Sequence, residues 1–91
     1  MVSMAEYRAP DLLNEINAGK TVLHVRKGET VYSDGEEADS IYFVQMGQVQ
    51  ISALSATGKE AVLAICGARE FFGEECLGAQ RLREDTATAF W

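Results

Sequence analysis

The chain has 91 residues, 47% of them apolar, and a formal net charge of −6. That is enough apolar content for one small core, and too much for a disordered tail. The acidic balance excludes gripping DNA, RNA or an anionic membrane through the overall field, so any bound anion has to be held by a local positive site.

Along the chain, Met1-Val2-Ser3-Met4-Ala5-Glu6 shows no basic segment followed by an apolar one, so no signal peptide is read here. Asp11 to Gly19 reads as a short helix: Leu12, Leu13 and Ile16 share a face, Pro10 suits its first turn and Gly19 its end. Residues 1–19 are therefore taken as an N-terminal helical segment and 20–91 as the main domain. From Thr21 the period shortens. Thr21–Val25 is a β-branched strand, Lys27-Gly28-Glu29 a turn, Thr30–Tyr32 a short strand, and Ser33–Glu37 a polar loop carrying Gly35. Ser40–Gln45 is the next strand, and Met46-Gly47 turns it into Gln48–Leu54, where Val49, Ile51 and Ala53 alternate onto one face. Thr57-Gly58-Lys59 is a hairpin tip, Glu60–Ile65 returns, and Thr86–Trp91 reads as a further strand. Short strands at even spacing with glycine turns predict an antiparallel sandwich or barrel. The chain stops at or just after its last strand, which reads as a fragment and predicts an unpaired edge or uncovered apolar face.

The chemistry concentrates in Phe71-Phe72-Gly73-Glu74-Glu75-Cys76-Leu77 and the following Arg83. Gly73 admits close backbone approach. Glu74–Leu77 can form one helical turn whose first N–H groups lack internal partners. Arg83 supplies a fork that matches phosphate oxygens. A carboxylate at Glu74 fits an anion site whose ligand also carries hydroxyls, as a sugar phosphate does. Phe71 and Phe72 point to opposite faces of an extended chain. Cys66 and Cys76 lie ten positions apart, with His24 the one imidazole, a poor set for zinc or iron–sulfur. They read as reduced, partly buried cysteines of a cytoplasmic protein. His24 stands at no catalytic spacing from an acid or nucleophile, and no apolar run reaches the roughly 20 residues that span a bilayer.

The ordered series Arg26-Lys27-Gly28-Glu29, Asp34-Gly35-Glu36-Glu37-Ala38-Asp39-Ser40-Ile41-Tyr42-Phe43-Val44, Gly47-Gln48-Val49, Gly58-Lys59-Glu60 and Phe71-Phe72-Gly73-Glu74 resembles the cyclic-nucleotide-binding domain of Crp/Fnr-type bacterial regulators. The resemblance runs from about Leu23 to Ala89. It implies an all-β jelly roll with a short N-terminal helix and a short helix in the phosphate-binding cassette. It also implies a sensor that binds a cyclic nucleotide, cAMP or cGMP, with no metal and no chemistry on the ligand. The ligand-binding residues it implies are Phe72, Gly73, Glu74, Glu75, Cys76, Leu77, Arg83 and Glu84: Glu74 on the ribose 2′-hydroxyl, Arg83 on the cyclic phosphate, and main-chain N–H groups completing the anion nest. In the full-length family a C-terminal helix forms the homodimer seam and leads to a DNA-binding domain, so DNA is expected as a partner only through segments outside these 91 residues, and no membrane is expected.

Three departures from the family pattern stand out. Glu84 and Asp85 replace small residues after the cassette arginine, and one such charge about 4 Å from a phosphate costs on the order of 4 kcal/mol at an effective dielectric of 20. Arg69 stands where a glycine is common. The alternative reading is a ligand-free interaction or dimerisation domain in which acids at 84 and 85 neutralise Arg83. A cupin-like enzyme, also a jelly roll, lacks the histidines it needs.

Overall fold

Among the described residues, eight strands make two four-stranded antiparallel sheets. The structure, a computed structural model, describes residues 1–8, 20–78 and 82–91. The strands are β1 (Val2–Arg8), β2 (Lys20–Val25), β3 (Thr30–Tyr32), β4 (Ser40–Met46), β5 (Val49–Leu54), β6 (Glu60–Cys66), β7 (Phe71–Phe72) and β8 (Thr86–Ala89). One sheet has the order β2-β1-β4-β7 and the other β3-β8-β5-β6. This is the all-β jelly-roll class expected from the sequence. The expected helix Asp11–Gly19 lies outside the described residues.

The first strand corrects the expected division at residue 19. Val2–Arg8 is not part of a helical segment: it pairs with β2 on one side and β4 on the other. Met4, Ala5 and Glu6 are good helix formers, which disguises the strand. Two flanking strands satisfy its backbone polar groups, and Val2, Met4 and Ala5 are completely buried, so packing overrides local preference.

Both sheets feed one core. Val2, Met4, Tyr42, Val44 and Phe72 come from one, and Tyr32, Val49, Ile51, Ala87 and Ala89 from the other. Each large apolar side chain fully buried there contributes roughly 1.5–3 kcal/mol. The β5–β6 pairing shifts register between Ile51 and Ser52, with Leu63 of β6 as the extra residue, while the β5–β8 pairing runs through unbroken. Val49 and Ile51 face the core as expected, but after the shift Ser52 is buried and Ala53 is only half-buried. At the outer edge, β6 pairs with β5 alone and leaves Val62, Leu63 and Ile65 exposed.

Turns between strands depend on residues that tolerate positive φ. Gly47 (φ 91°) reverses the chain between β4 and β5, and there Gln48 exchanges main-chain bonds with Phe90 and Trp91. A Cβ at Gly47 would run into the carbonyl oxygen of Trp91 and the side chain of Val2. Gly58 (φ 82°), at the β5–β6 hairpin tip, has open space around it. Arg69 adopts φ 72° without being glycine, at the turn just before β7.

Two comparisons test these turns by urea unfolding. Gly58→Ala bears only the backbone penalty, about 1 kcal/mol. Gly47→Ala adds a main-chain collision and is expected to cost about 2 kcal/mol more. Equal losses at the two sites would remove the collision. Arg69→Gly relieves a left-handed non-glycine residue and is expected to stabilise by about 0.5–1 kcal/mol.

Candidate functional site

The site begins where β7 ends. Phe72 pairs with Tyr42 and packs its ring on it, with centroids 5.0 Å apart, while Phe71 points to the opposite side and is exposed. Gly73 then takes a left-handed conformation (φ 80°, ψ 22°) and turns the chain into a single 3-10 turn, Glu74–Leu77. A side chain at Gly73 is excluded twice over, by its φ and because a Cβ would lie 3.0 Å from Arg83 Nη1 and 3.2 Å from the Tyr42 ring.

Arg83 comes to this turn from the other side. Its main chain is clamped by the loop after β3: Gly35 N–H donates to its carbonyl at 2.8 Å, and its own N–H donates to the Glu36 carbonyl at 2.8 Å. The side chain is directed inward, and the residue as a whole is 2% exposed. Nη1 donates to the Gly73 carbonyl (2.9 Å) and to Glu75 Oε2 (2.8 Å), and Nη2 donates to the Ser40 carbonyl (2.6 Å). The guanidinium carbon stands 4.1 Å from the centre of the Tyr32 ring, a cation–π contact. Nε is buried with no hydrogen-bond partner among the described residues. A buried guanidinium is tolerable because a carboxylate, two carbonyls and an aromatic face replace most of its hydration.

The internal partner is Glu75, rather than Glu74, Glu84 or Asp85. Glu74 is exposed at the start of the turn, and Glu84 is exposed beside Arg83. Asp85 accepts a hydrogen bond from the Tyr32 hydroxyl (3.1 Å). Burial pushes the Asp85 carboxyl above the ordinary carboxylate range. The Glu75 charge adds to this, and the Tyr32 hydrogen bond and Arg83 oppose it. Burial, with the Asp85 and Glu75 charges, likewise pushes the Tyr32 hydroxyl far up, so it stays protonated and a donor. The Cys76 N–H is directed back to the Gly73 carbonyl over a long 3.5 Å. Burial raises both the Cys66 and the Cys76 thiols, which makes neither a reactive thiolate.

A cavity of about 250 Å³ opens beside the turn, walled by Tyr32, Phe72, Gly73, Glu74, Glu75 and Asp85 with Ile51, Ala64, Cys66 and Phe71. Three of the residues touching Arg83 (Tyr32, Gly73 and Glu75) are in that wall, whereas Arg83 is not. A larger hollow of about 580 Å³ lies between Met1, Lys27, Met46, Gln48 and Trp91, away from this cluster. Among the described residues no group of three or more His, Cys, Asp or Glu is placed to hold a metal ion. His24 is exposed and its ring meets Ser3 Oγ at 3.1 Å.

Sequence reasoning singled out Phe72, Gly73, Glu74, Glu75, Cys76, Leu77, Arg83 and Glu84. The fold gathers Phe72, Gly73, Glu75 and Arg83 into one contact cluster, puts Glu74 and Cys76 on the adjoining turn, and leaves Glu84 outside the cavity wall. The Ser40 carbonyl, the Tyr32 ring and the Tyr32–Asp85 bond were not anticipated. Main-chain acceptors leave no mark in a sequence, and Tyr32 sits some fifty positions before the arginine it covers.

A two-sheet roll with a glycine-led cassette turn and a buried arginine defines a class, and comparison with known proteins bears this out. Residues 22–90 match the family model "Cyclic nucleotide-binding domain". The chain is 34% identical over 62 residues to a CRP-like cAMP-activated global transcriptional regulator of Mycobacterium tuberculosis, covering 68% of this chain and 28% of that protein. It superposes on the sensor domain of the transcriptional regulator DNR from Pseudomonas aeruginosa with a TM-score of 0.73 and 30% identity, over 88% of this chain and 54% of that one. It also superposes on an EAL enzyme in its cAMP-bound form, with a TM-score of 0.65 and 29% identity over 71% of this chain and 17% of that one. The chain belongs to the cyclic nucleotide-binding domain family, in its Crp/Fnr form, and spans under a third of the length of the curated regulator it matches.

Removing the guanidinium should be costly without any ligand. Arg83→Ala strands two carbonyls in the interior and leaves the half-buried Glu75 carboxylate unpaired, and is expected to lose about 3–5 kcal/mol in urea unfolding. A loss below about 1 kcal/mol would show that the interior contacts are not formed in solution. Asp85 gives a pH test. A carboxyl that holds its proton more tightly when folded adds stability that is complete below its ordinary value of 3.8 and is lost as pH rises through the raised folded value. Asp85→Asn should therefore gain in melting temperature relative to the parent between pH 4 and pH 7. A difference independent of pH would remove Asp85 as a strained acid.

Proposed function

We propose that this domain is a regulatory sensor that binds a cAMP-like cyclic nucleotide at the cassette and performs no chemistry on it. The observation that carries this reading is the buried arginine beneath the Gly73 turn, within the segment matched to the family, next to a cavity whose wall includes three residues that touch it, Tyr32, Gly73 and Glu75. One relative is named a cAMP-activated regulator, and the neighbouring EAL enzyme is matched in cAMP-bound and in cGMP-bound form, which supports a cyclic nucleotide as the ligand.

In this reading the ligand phosphate takes hydrogen bonds from Arg83 and from main-chain N–H groups of the turn, and Glu74, exposed at the cavity rim, accepts from the ribose 2′-hydroxyl. Phe72, Gly73, Glu75, Cys76, Leu77 and Glu84 complete the surroundings. The cavity falls below the roughly 300–1,000 Å³ usual for small-molecule sites. It suits the ribose–phosphate end of a nucleotide, with the base projecting from the mouth, so discrimination between bases by these residues alone is weak. Occupancy acts by favouring one of two arrangements of the turn, since a ligand that binds both equally shifts nothing. Dimerisation and DNA contact are assigned to other segments of a longer regulator. With a net charge of −6, these 91 residues do not grip DNA through their own field.

Isothermal calorimetry with cAMP and cGMP tests the reading. Both are expected to bind with similar affinity, and Glu74→Ala is expected to weaken each by about ten- to a hundredfold, the worth of a hydrogen bond to a charged group. Because Glu74 is exposed and outside the Arg83 cluster, that variant should keep the parent's melting temperature. Absence of heat or thermal shift at millimolar nucleotide in the parent would overturn the proposal.

A further inference from the structure

The guanidinium expected to meet a phosphate already holds an anion. Glu75 Oε2 sits 2.8 Å from Arg83 Nη1, and the Arg83 side chain is 1% exposed against 35% for that of Glu75. Glu75 belongs both to the arginine's contact shell and to the cavity wall, whereas Arg83 is not part of that wall. We propose that Glu75 is an internal competitor for the ligand's phosphate, so that an anionic ligand binds by exchanging its own charge for that of Glu75 on Arg83. This rests on the cassette's being an anion site, as proposed above.

The exchange follows from charge and from the build of the turn. A guanidinium this buried needs an anion beside it in either state. A phosphate oxygen arriving from the cavity and the Glu75 carboxylate want the same Nη1 donor, and both cannot approach without repulsion in a poorly solvated space. Glu75 is the one that can leave. It stands on a single 3-10 turn with no side-chain cap, hinged at Gly73 in the left-handed region, and it is already partly in contact with solvent. The Gly73 and Ser40 carbonyls, by contrast, are tied to the main chain of β7 and β4. The buried Nε, which has no hydrogen-bond partner among the described residues, is a donor left over for the incoming anion. A carboxylate attached to the same chain competes at a high effective concentration. The apparent affinity is therefore that of the open arrangement multiplied by the small fraction of molecules in which Glu75 has let go. Of the other two acids in the wall, Glu74 is exposed at the rim and Asp85 is bonded to Tyr32, and neither occupies the donor. The Asp85 charge opposes the ligand only at longer range.

The test compares the parent with Glu75→Gln and Asp85→Asn, by calorimetry and thermal shift with cAMP and with cGMP. Glu75→Gln keeps a neutral acceptor for Arg83 but gives up the charge. It is expected to melt lower than the parent without ligand, and to bind the nucleotide about ten- to a hundredfold more tightly, the worth of a charge-assisted hydrogen bond. Its ligand-induced shift is expected to be correspondingly larger. Asp85→Asn is expected to give a smaller gain. A merely structural Glu75 predicts the lower melting point with unchanged or weaker binding, and that result overturns the proposal while leaving nucleotide sensing in place, since the parent still binds. Binding by neither parent nor Glu75→Gln overturns both. Should Glu75→Gln fail to fold, the parent answers alone. The carboxyl carbon resonance of Glu75 shifts on saturation with cAMP if the exchange occurs, and a resonance that stays put while nucleotide binds overturns it.

Discussion

One buried positive charge organises this molecule. Arg83 ties the Gly73 turn, the start of β4 and the Tyr32 ring to each other, and its main chain is locked to the loop that follows β3. Those elements come from both sheets, so a single guanidinium bridges the roll at the place where the strands provide no ladder. Burial on this scale is stable only while every donor direction is nearly satisfied. Hence the surrounding carbonyls, the carboxylate and the aromatic face are as necessary to the fold as to any ligand.

That constraint explains why function and stability are hard to separate here. A surface arginine could be spent on a phosphate at no cost to the fold. In the exchange proposed above this one would trade one set of partners for another, and the replaceable partner stands on a four-residue 3-10 turn between Gly73 and Gly78. The acids that looked from the sequence like obstacles divide into different roles once placed. Glu84 faces solvent, Asp85 is held by Tyr32, and Glu75, unremarked as a charge partner in the linear reading, carries the ion pair.

Most strands were legible because their side chains alternate and glycines punctuate them. β3, β4, β5 and β6 appear within a residue or two of their expected limits. β1 was not legible: Met4-Ala5-Glu6 favours helix locally, and only the open lane between β2 and β4 makes it a strand. The inward side of β5 was half legible: Val49 and Ile51 face the core as their alternation says, whereas Ser52 is buried and Ala53 half-buried where the β5–β6 pairing shifts register.

By itself, the sequence determined the all-β class, the family, and the pair of chemical groups, a glycine-led turn and a downstream arginine, that any anion site here must use. These are local or ordered signals: periodicity, glycines where φ must be positive, and motif spacing. The tertiary structure alone decided that Arg83 points inward, that Glu75 rather than its acidic neighbours meets it, that Tyr32 covers it, and that an N-terminal strand completes the first sheet. The physical reason is that a side chain's partner is set by which surfaces meet in space, and main-chain carbonyls such as those of Ser40 and Gly73 belong to every residue alike.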